Sequence, residues 1–125
     1  MNKVYLVDDS ELVRRRLADM LSELENVEIV GQSGDPDEAE AEIRRLSPDV
    51  VVMDIKLPGR NGIEVLRDIK KEVRSPLVIM LTNYPYAQYR RECSDAGADY
   101  FLYKATEFER INDILRQLPE RDQPP

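Results

Sequence analysis

The segment Val50-Val51-Val52-Met53-Asp54 decides the fold. Four apolar residues, three of them β-branched, run straight into one carboxylate. Ile55-Lys56-Leu57-Pro58-Gly59-Arg60-Asn61-Gly62 follows as a turn-rich stretch. A short apolar run bounded by turn signals fits a strand buried on both faces, as in a parallel sheet. Asp54 then lies at the strand's C-terminal tip. In open α/β sheets that edge is where ligands and chemistry collect.

Outward from this strand, the same pattern repeats. Lys3-Val4-Tyr5-Leu6-Val7 reads as a strand that ends in Asp8-Asp9, and Ser10 caps a helix to about Leu24 with Val13, Leu17, Met20, Leu21 and Leu24 on one face. Val27 to Val30 reads as a strand stopped by Gly31. Asp35-Pro36-Asp37-Glu38 opens a helix to about Leu46, with an N-cap, a proline at the first helical position and acids in the first turn. After the central strand, residues 49–53, a helix is expected from about Gly62 to Glu72, with Ile63, Leu66, Ile69 and Val73 inward. Residues 76–81 form a further apolar strand ending at Thr82, and residues 85–96 a helix stopped by Gly97 as a left-handed cap. Asp99 to Tyr103 is the last strand, ending at Lys104. Thr106-Glu107-Phe108-Glu109 reads as a capping box opening a last helix to Leu118. Five strands alternating with five helices imply one α/β domain over residues 1–118, a parallel sheet with helices on both faces. The polar, proline-rich residues 119–125 are expected to be a disordered tail.

Composition removes whole classes of function. The chain has 125 residues, 42% of them hydrophobic and 34% charged, in keeping with one globular domain. No apolar run approaches the roughly 18 residues of a membrane span, and the strand that begins near Lys3 leaves no room for a signal peptide. The single Cys93 excludes an internal disulfide and fits a reducing cytoplasm. A net charge of −7 is a poor match to nucleic acid. The absence of histidine removes histidine metal sites, bases and phosphocarriers.

Four strand ends carry reactive side chains: Asp8-Asp9, Asp54, Thr82 and Lys104. Carboxylates gathered at one sheet edge repel each other, so they need a cation or a proton. Oxygen ligands without histidine select a hard ion, and Mg²⁺ usually keeps some waters and binds phosphate oxygens as well. Lys104 can pair a phosphoryl oxygen and Thr82 can donate to another. Asp54 is then the candidate nucleophile, able to form an acyl phosphate. Taken singly, each residue has a plainer reading: helix caps at Asp9 and Ser10, a turn threonine, a solvated lysine. Taken jointly, the plain reading is weak, because each type follows a different strand.

The motifs Val4-Tyr5-Leu6-Val7-Asp8-Asp9-Ser10, Val52-Met53-Asp54-Ile55-Lys56-Leu57-Pro58 with Gly62, Ile79-Met80-Leu81-Thr82 and Ala96-Gly97-Ala98-Asp99-Tyr100-Phe101-Leu102-Tyr103-Lys104 occur in this order. In order and spacing the chain resembles the receiver domain of bacterial response regulators, CheY-like, over residues 3–118. The resemblance implies a flavodoxin-like sheet of order 2-1-3-4-5. It implies a module of two-component phosphorelay signalling in which Asp54 accepts a phosphoryl group from a histidine kinase or histidine phosphotransfer protein. Mg²⁺ would be held by Asp8, Asp9, Asp54 and the backbone carbonyl of Lys56, and the phosphoryl group by Lys104 and Thr82. The family switch would use Thr82 and Phe101 to alter the face made by the fourth helix, fifth strand and fifth helix. That face would meet an unidentified protein target or a second copy of the chain. Catalysis would be limited to its own phosphotransfer and autodephosphorylation.

Two positions depart from the family pattern. Asn83 stands where a small residue is usual, which implies slower attack by water or small phosphodonors at Asp54. Ala105 stands where proline commonly follows the lysine through a cis bond. A cis peptide before another residue type costs about 2.5–4 kcal/mol, so a trans bond is expected. These departures keep a second function open, a phosphorylation-independent binding module. A phosphatase with an aspartyl nucleophile would want an acid at position 56, where Lys56 stands, and a flavin carrier would not place Asp8-Asp9 at its phosphate loop. Core packing is the plain alternative for Phe101 and for the stripe Tyr86, Tyr89, Cys93 and Ala96; a tyrosine-lined partner surface is the functional one. Arg14-Arg15-Arg16 and Arg90-Arg91 read as solvated faces, with Arg14-Arg15 a candidate contact to an acidic kinase surface.

Overall fold

A computed structural model describes residues 1–119. Five parallel strands, β1 (Asn2–Val7), β2 (Val27–Ser33), β3 (Val50–Met53), β4 (Leu77–Thr82) and β5 (Tyr100–Tyr103), form one sheet of order β2-β1-β3-β4-β5. The helices are α1 (Glu11–Leu21), α2 (Pro36–Leu46), α3 (Gly62–Lys70), α4 (Ala87–Asp95), α5 (Lys104–Glu107) and α6 (Arg110–Arg116). The expected architecture and strand order hold, with one helix more than expected among the described residues.

Alternation along the strands feeds two cores. Val4, Leu6, Val50, Val52, Ile79, Leu81 and Leu102 face α1 and α6, meeting Leu17, Leu21, Phe108, Ile111 and Leu115. Tyr5, Val7, Val51, Met53, Val78 and Met80 face α2, α3 and α4, meeting Ala39, Ile43, Ile63, Leu66, Ile69 and Cys93. Burial on both faces explains why β3 is an unbroken apolar run rather than an alternating one. Register aligns the tips, since Val7 pairs with Met53 and Met53 with Met80. Asp8 and Asp54 therefore leave the sheet side by side.

Local caps place the helices. Ser10 accepts from the Val13 amide at 3.2 Å, Asp35 from Glu38 at 2.8 Å and Asn61 from Ile63 at 2.6 Å. Gly97, at φ 101°, ends the segment after α4 as expected.

Four local expectations need correction. Gly31 does not end β2, which runs on to Ser33 past a register shift opposite Val4 and Tyr5. Gly31 is required there because a Cβ would lie 2.7 Å from the Tyr5 ring. Val73 lies beyond the end of α3 and is fully exposed. The tyrosine stripe begins at Tyr89, since Tyr86 is 57% exposed at the N-cap of α4. The last helical segment starts at Lys104 rather than at Thr106, so no capping box forms on Thr106. Instead the Glu107 carboxylate accepts from the Tyr103 amide at 3.0 Å. Helical hydrogen bonding then lapses at Phe108 and Glu109, which divides the expected fifth helix into α5 and α6. All described peptide bonds are trans, Lys104–Ala105 among them. Most of the tail expected to be disordered lies outside the described residues, although the Pro119 carbonyl accepts from the Asn2 side chain at 3.0 Å.

Candidate functional site

Asp8, Asp9 and Asp54 converge at the C-terminal edge of the sheet, each with a carboxylate oxygen within 4.8 Å of the others. Asp8 and Asp54 are buried and Asp9 is exposed. The backbone fixes one oxygen of each buried acid: Asp8 Oδ1 accepts from the Ser10 amide at 2.9 Å, and Asp54 Oδ1 from the Ile55 amide at 2.7 Å. Lys104 binds the other two, with Nζ 2.6 Å from Asp8 Oδ2 and 3.0 Å from Asp54 Oδ2. The β1 tip, the β3 tip and the residue after β5 thus share one ammonium.

Burial pushes the Asp54 carboxyl above the usual carboxylate range, and the Asp8 charge adds to this; Lys104 opposes both without cancelling them. For Lys104, burial pulls downward, but the carboxylates of Asp8 and Asp54 together hold the ammonium above its ordinary value. One cation thus compensates two acids incompletely. The donors are all oxygens, and the chain has no histidine. This set fits a small hard divalent cation such as Mg²⁺.

The segment after Asp54 is held tightly. Gly62 donates to the Ile55 carbonyl at 2.7 Å, and a Cβ on Gly62 would lie 2.0 Å from the Asp54 carbonyl oxygen. Only glycine lets α3 begin so close to the Asp54 backbone. Arg60 ties the same loop to α2 and α3, meeting Asp37 at 2.8 Å, Glu40 at 2.6 Å and Asp68 at 2.6 Å. Lys56 extends from the loop toward tyrosines, with Nζ 5.4 Å from the Tyr84 ring centre and 5.3 Å from that of Tyr89.

Thr82 is fully buried at the β4 tip, where its Oγ1 accepts from the Tyr84 amide at 3.1 Å. Asn83 beside it is exposed. Phe101 pairs with Met80 across β4 and β5, is half-buried against the α3–α4 core, and carries the Arg90 guanidinium 4.6 Å above its ring. Phe101 thus packs against the core with one face and meets Arg90 of α4 with the other.

Sequence reading missed Arg14. Its guanidinium donates to the Asp8 carbonyl, while its Nε donates to Gln32 Oε1 at 3.0 Å. It is turned inward rather than presented to a partner, whereas Arg15 pairs with Glu11 on the exposed side and Arg16 lies over Phe108. A signal for this was available. Helical side chains lean toward the N-terminus, so a long residue in the first turn reaches back to the loop before it. Arg60 was missed for a different reason: its acids, Asp37, Glu40, Asp68 and the more distant Glu64 at 3.7 Å, come from two helices whose relative placement is a tertiary fact.

Fold and site define a class, a doubly wound parallel α/β domain that gathers three carboxylates, a buried hydroxyl and a lysine at one sheet edge. Residues 4–116 match the family described as the response regulator receiver domain, and the chain belongs to it. It is 38% identical over 104 residues to the DNA-binding transcriptional activator DevR/DosR of Mycobacterium tuberculosis, covering 83% of this chain and 48% of that protein. It is 34% identical over 115 residues to the response regulator protein VraR of Staphylococcus aureus, covering 92% of this chain and 55% of that protein. The chain therefore spans about half the length of these curated relatives. The response regulator domain of Thermotoga maritima CheB superposes with a TM-score of 0.85 at 30% identity, over 98% of this chain and 99% of that one. Among the described residues no helix is long and apolar enough to cross a membrane.

Proposed function

We propose that this receiver domain works by accepting a phosphoryl group on Asp54 from a phosphohistidine of a kinase or phosphotransfer protein. The observation that carries the reading is the ammonium of Lys104 shared by two buried carboxylates, beside a third acid. An oxygen of Asp54 forms the new bond to phosphorus as the phosphorus–nitrogen bond breaks, and the imidazole nitrogen keeps the electron pair. Lys104 then has a phosphoryl oxygen to pair in place of the Asp54 carboxylate. Asp8, Asp9, Asp54 and the Lys56 carbonyl would hold Mg²⁺, which when bound supplies charge neutralisation to the incoming phosphoryl oxygens. The chemistry is positioning and electrostatics, so the domain turns over nothing beyond its own transfer and hydrolysis.

The switch follows from the occupancy of Thr82. Moving toward a phosphoryl oxygen to donate its hydroxyl draws Oγ1 away from the Tyr84 amide, from which it now accepts, and this frees the start of the β4–α4 loop. Phe101, already half-buried, gains room to turn inward, and the surface of α4, β5 and the α5–α6 segment changes for a protein partner or a second copy. A new charge thus shifts a two-state element. The acidic domain itself is poorly suited to DNA, and any DNA binding of a longer protein would belong to residues outside it. A cytoplasmic setting fits the phosphohistidine donor and the lone buried Cys93.

Beryllium fluoride with Mg²⁺, a phosphoryl mimic, tests this directly. Amide shifts at Asp54, Thr82 and Phe101 are expected in the wild type and lost in Asp54→Asn. A wild type that ignores the mimic would leave the phosphorylation-independent binding module as the better reading.

A further inference from the structure

We propose that Arg14 is a positioning residue for the cation site, an inference that rests on the Mg²⁺ reading above. Asp8 and Asp9 are consecutive residues on the short loop from β1 to α1, and the loop must hold one buried and one exposed carboxylate toward a common point. Its backbone is pinned from the strand side by the Asp8 amide, which donates to the Ser33 carbonyl at 3.1 Å. On the helix side the Arg14 guanidinium donates to the Asp8 carbonyl and, through Nε, to Gln32 at the end of β2. The fork therefore joins three pieces of chain: α1, the acid loop and the β2 end.

The neighbouring residue is shaped around this contact. A Cβ on Gly34 would lie 3.0 Å from Arg14 Nη1, 3.3 Å from the Asp8 carbonyl oxygen and 3.3 Å from the Asp9 Cα. The bare backbone of Gly34 thus closes over the guanidinium and the acid loop together. Arg14 is half-buried, unlike Arg15 and Arg16.

Two effects of the guanidinium on a cation have opposite signs. Its charge repels a second cation, whereas its hydrogen bond to the Asp8 carbonyl holds the backbone of the acid loop in place before the cation arrives. The side chain is partly solvated, so screening weakens the charge effect. The bond to the Asp8 carbonyl is short-range and part-buried, so solvent weakens it less than the long-range charge effect, while the bond to Gln32 lies at the surface and orients the fork. Positioning therefore wins, in the way that groups behind metal ligands ordinarily set affinity. A lysine would keep the charge but not the planar fork.

The test is an NMR titration with Mg²⁺ alone, following the Ser10 and Ile55 amides, on wild type, Arg14→Met, Arg14→Lys, Gln32→Ala and Arg14→Met/Gln32→Ala. Thermal unfolding in EDTA runs beside it. We expect Arg14→Met and Arg14→Lys each to weaken Mg²⁺ binding about 10-fold, Gln32→Ala to weaken it less, and the double variant to match Arg14→Met because both act through one fork. The weakening is read on folded protein and exceeds what any change in unfolding temperature accounts for. Should Arg14→Met fail to fold, Arg14→Lys and Gln32→Ala carry the test. Unchanged Mg²⁺ affinity in Arg14→Lys and Gln32→Ala overturns the inference. So does tighter binding in Arg14→Met with wild-type affinity in Arg14→Lys, which would make charge the only effect. A wild type that binds no Mg²⁺ overturns the functional reading and this inference together.

Discussion

The two edges of the sheet use the same residue type for different ends. At the N-terminal edge, Asp49 precedes β3 and Asp99 precedes β5. Asp49 Oδ2 accepts from the Lys3 amide at 2.8 Å, and Asp99 Oδ2 accepts from the Val78 amide at 2.8 Å and from Lys70 Nζ at 2.9 Å. Each carboxylate there stitches one strand's start to its neighbour, Asp49 from a half-buried position and Asp99 from an exposed one. At the C-terminal edge, Asp8 and Asp54 also accept one amide each, but they are buried together and share a single lysine. A carboxylate that satisfies backbone donors is structural. Two that crowd one cation retain lone pairs and charge, and that surplus is what a metal and a phosphoryl group can use.

The largest expected effect separates the edges by chemistry. Asp54→Asn should reduce phosphotransfer from a phosphohistidine donor to background, read on a phosphate-affinity gel, whereas Asp49→Asn should leave labelling intact. Labelling that survives Asp54→Asn would break the comparison at its centre. Next comes Lys104→Met, which leaves Asp8 and Asp54 facing each other. Removing one partner of a buried charge cluster costs about 3–5 kcal/mol. The lower end is expected here, because Asp54 can relieve the repulsion by taking up a proton. Urea unfolding in EDTA should show the loss, and added Mg²⁺ should restore most of it. A deficit that Mg²⁺ does not touch would mean that Lys104 supports the fold and not the acids.

These contrasts were only partly legible in the sequence. The strands and their order of reactive tips were, because two-sided burial writes long apolar runs that end abruptly at Asp8, Asp54, Thr82 and Lys104. Gly31 misled because a glycine that admits the Tyr5 ring looks in sequence like a glycine that ends a strand. Glu107 satisfies the Tyr103 amide rather than one at Thr106, so the cap motif was present but two to three residues out of place. Arg14 and Arg60 had the composition of surface residues. For Arg14 only the backward lean of helical side chains pointed to the loop before α1, and for Arg60 the acids lie on helices whose placement no local pattern reports.

A smaller effect is expected at the other edge. Asp99→Ala removes the acceptor for the Val78 amide and for Lys70, and should cost about 1–2 kcal/mol in urea unfolding, with the Mg²⁺ response unchanged. Loss of Mg²⁺ binding in this variant would show that the two edges are mechanically coupled through β4 and β5, which would sharpen the division into a coupling problem.

The smallest expected effect is a slope. Burial raises the folded pKa of Asp54 above its unfolded value, so the folded state takes up the proton first as pH falls. The ionised carboxylate is therefore a net cost to stability above the folded pKa, and the cost disappears as pH drops through it toward the unfolded value near ~3.9. Asp54→Asn, which resembles the protonated acid, should accordingly be more stable than wild type at neutral pH in EDTA, with the gap closing on acidification. Lys104 does not confuse this window. Its folded pKa is also raised, so its contribution is fully present below about pH 10 and is lost only as pH rises further. A wild type more stable than Asp54→Asn at neutral pH, losing that advantage as pH falls, would be the signature of a depressed carboxylate. In that case Lys104 outweighs burial, and Asp54 belongs with Asp99, the salt-bridged acid of the opposite edge.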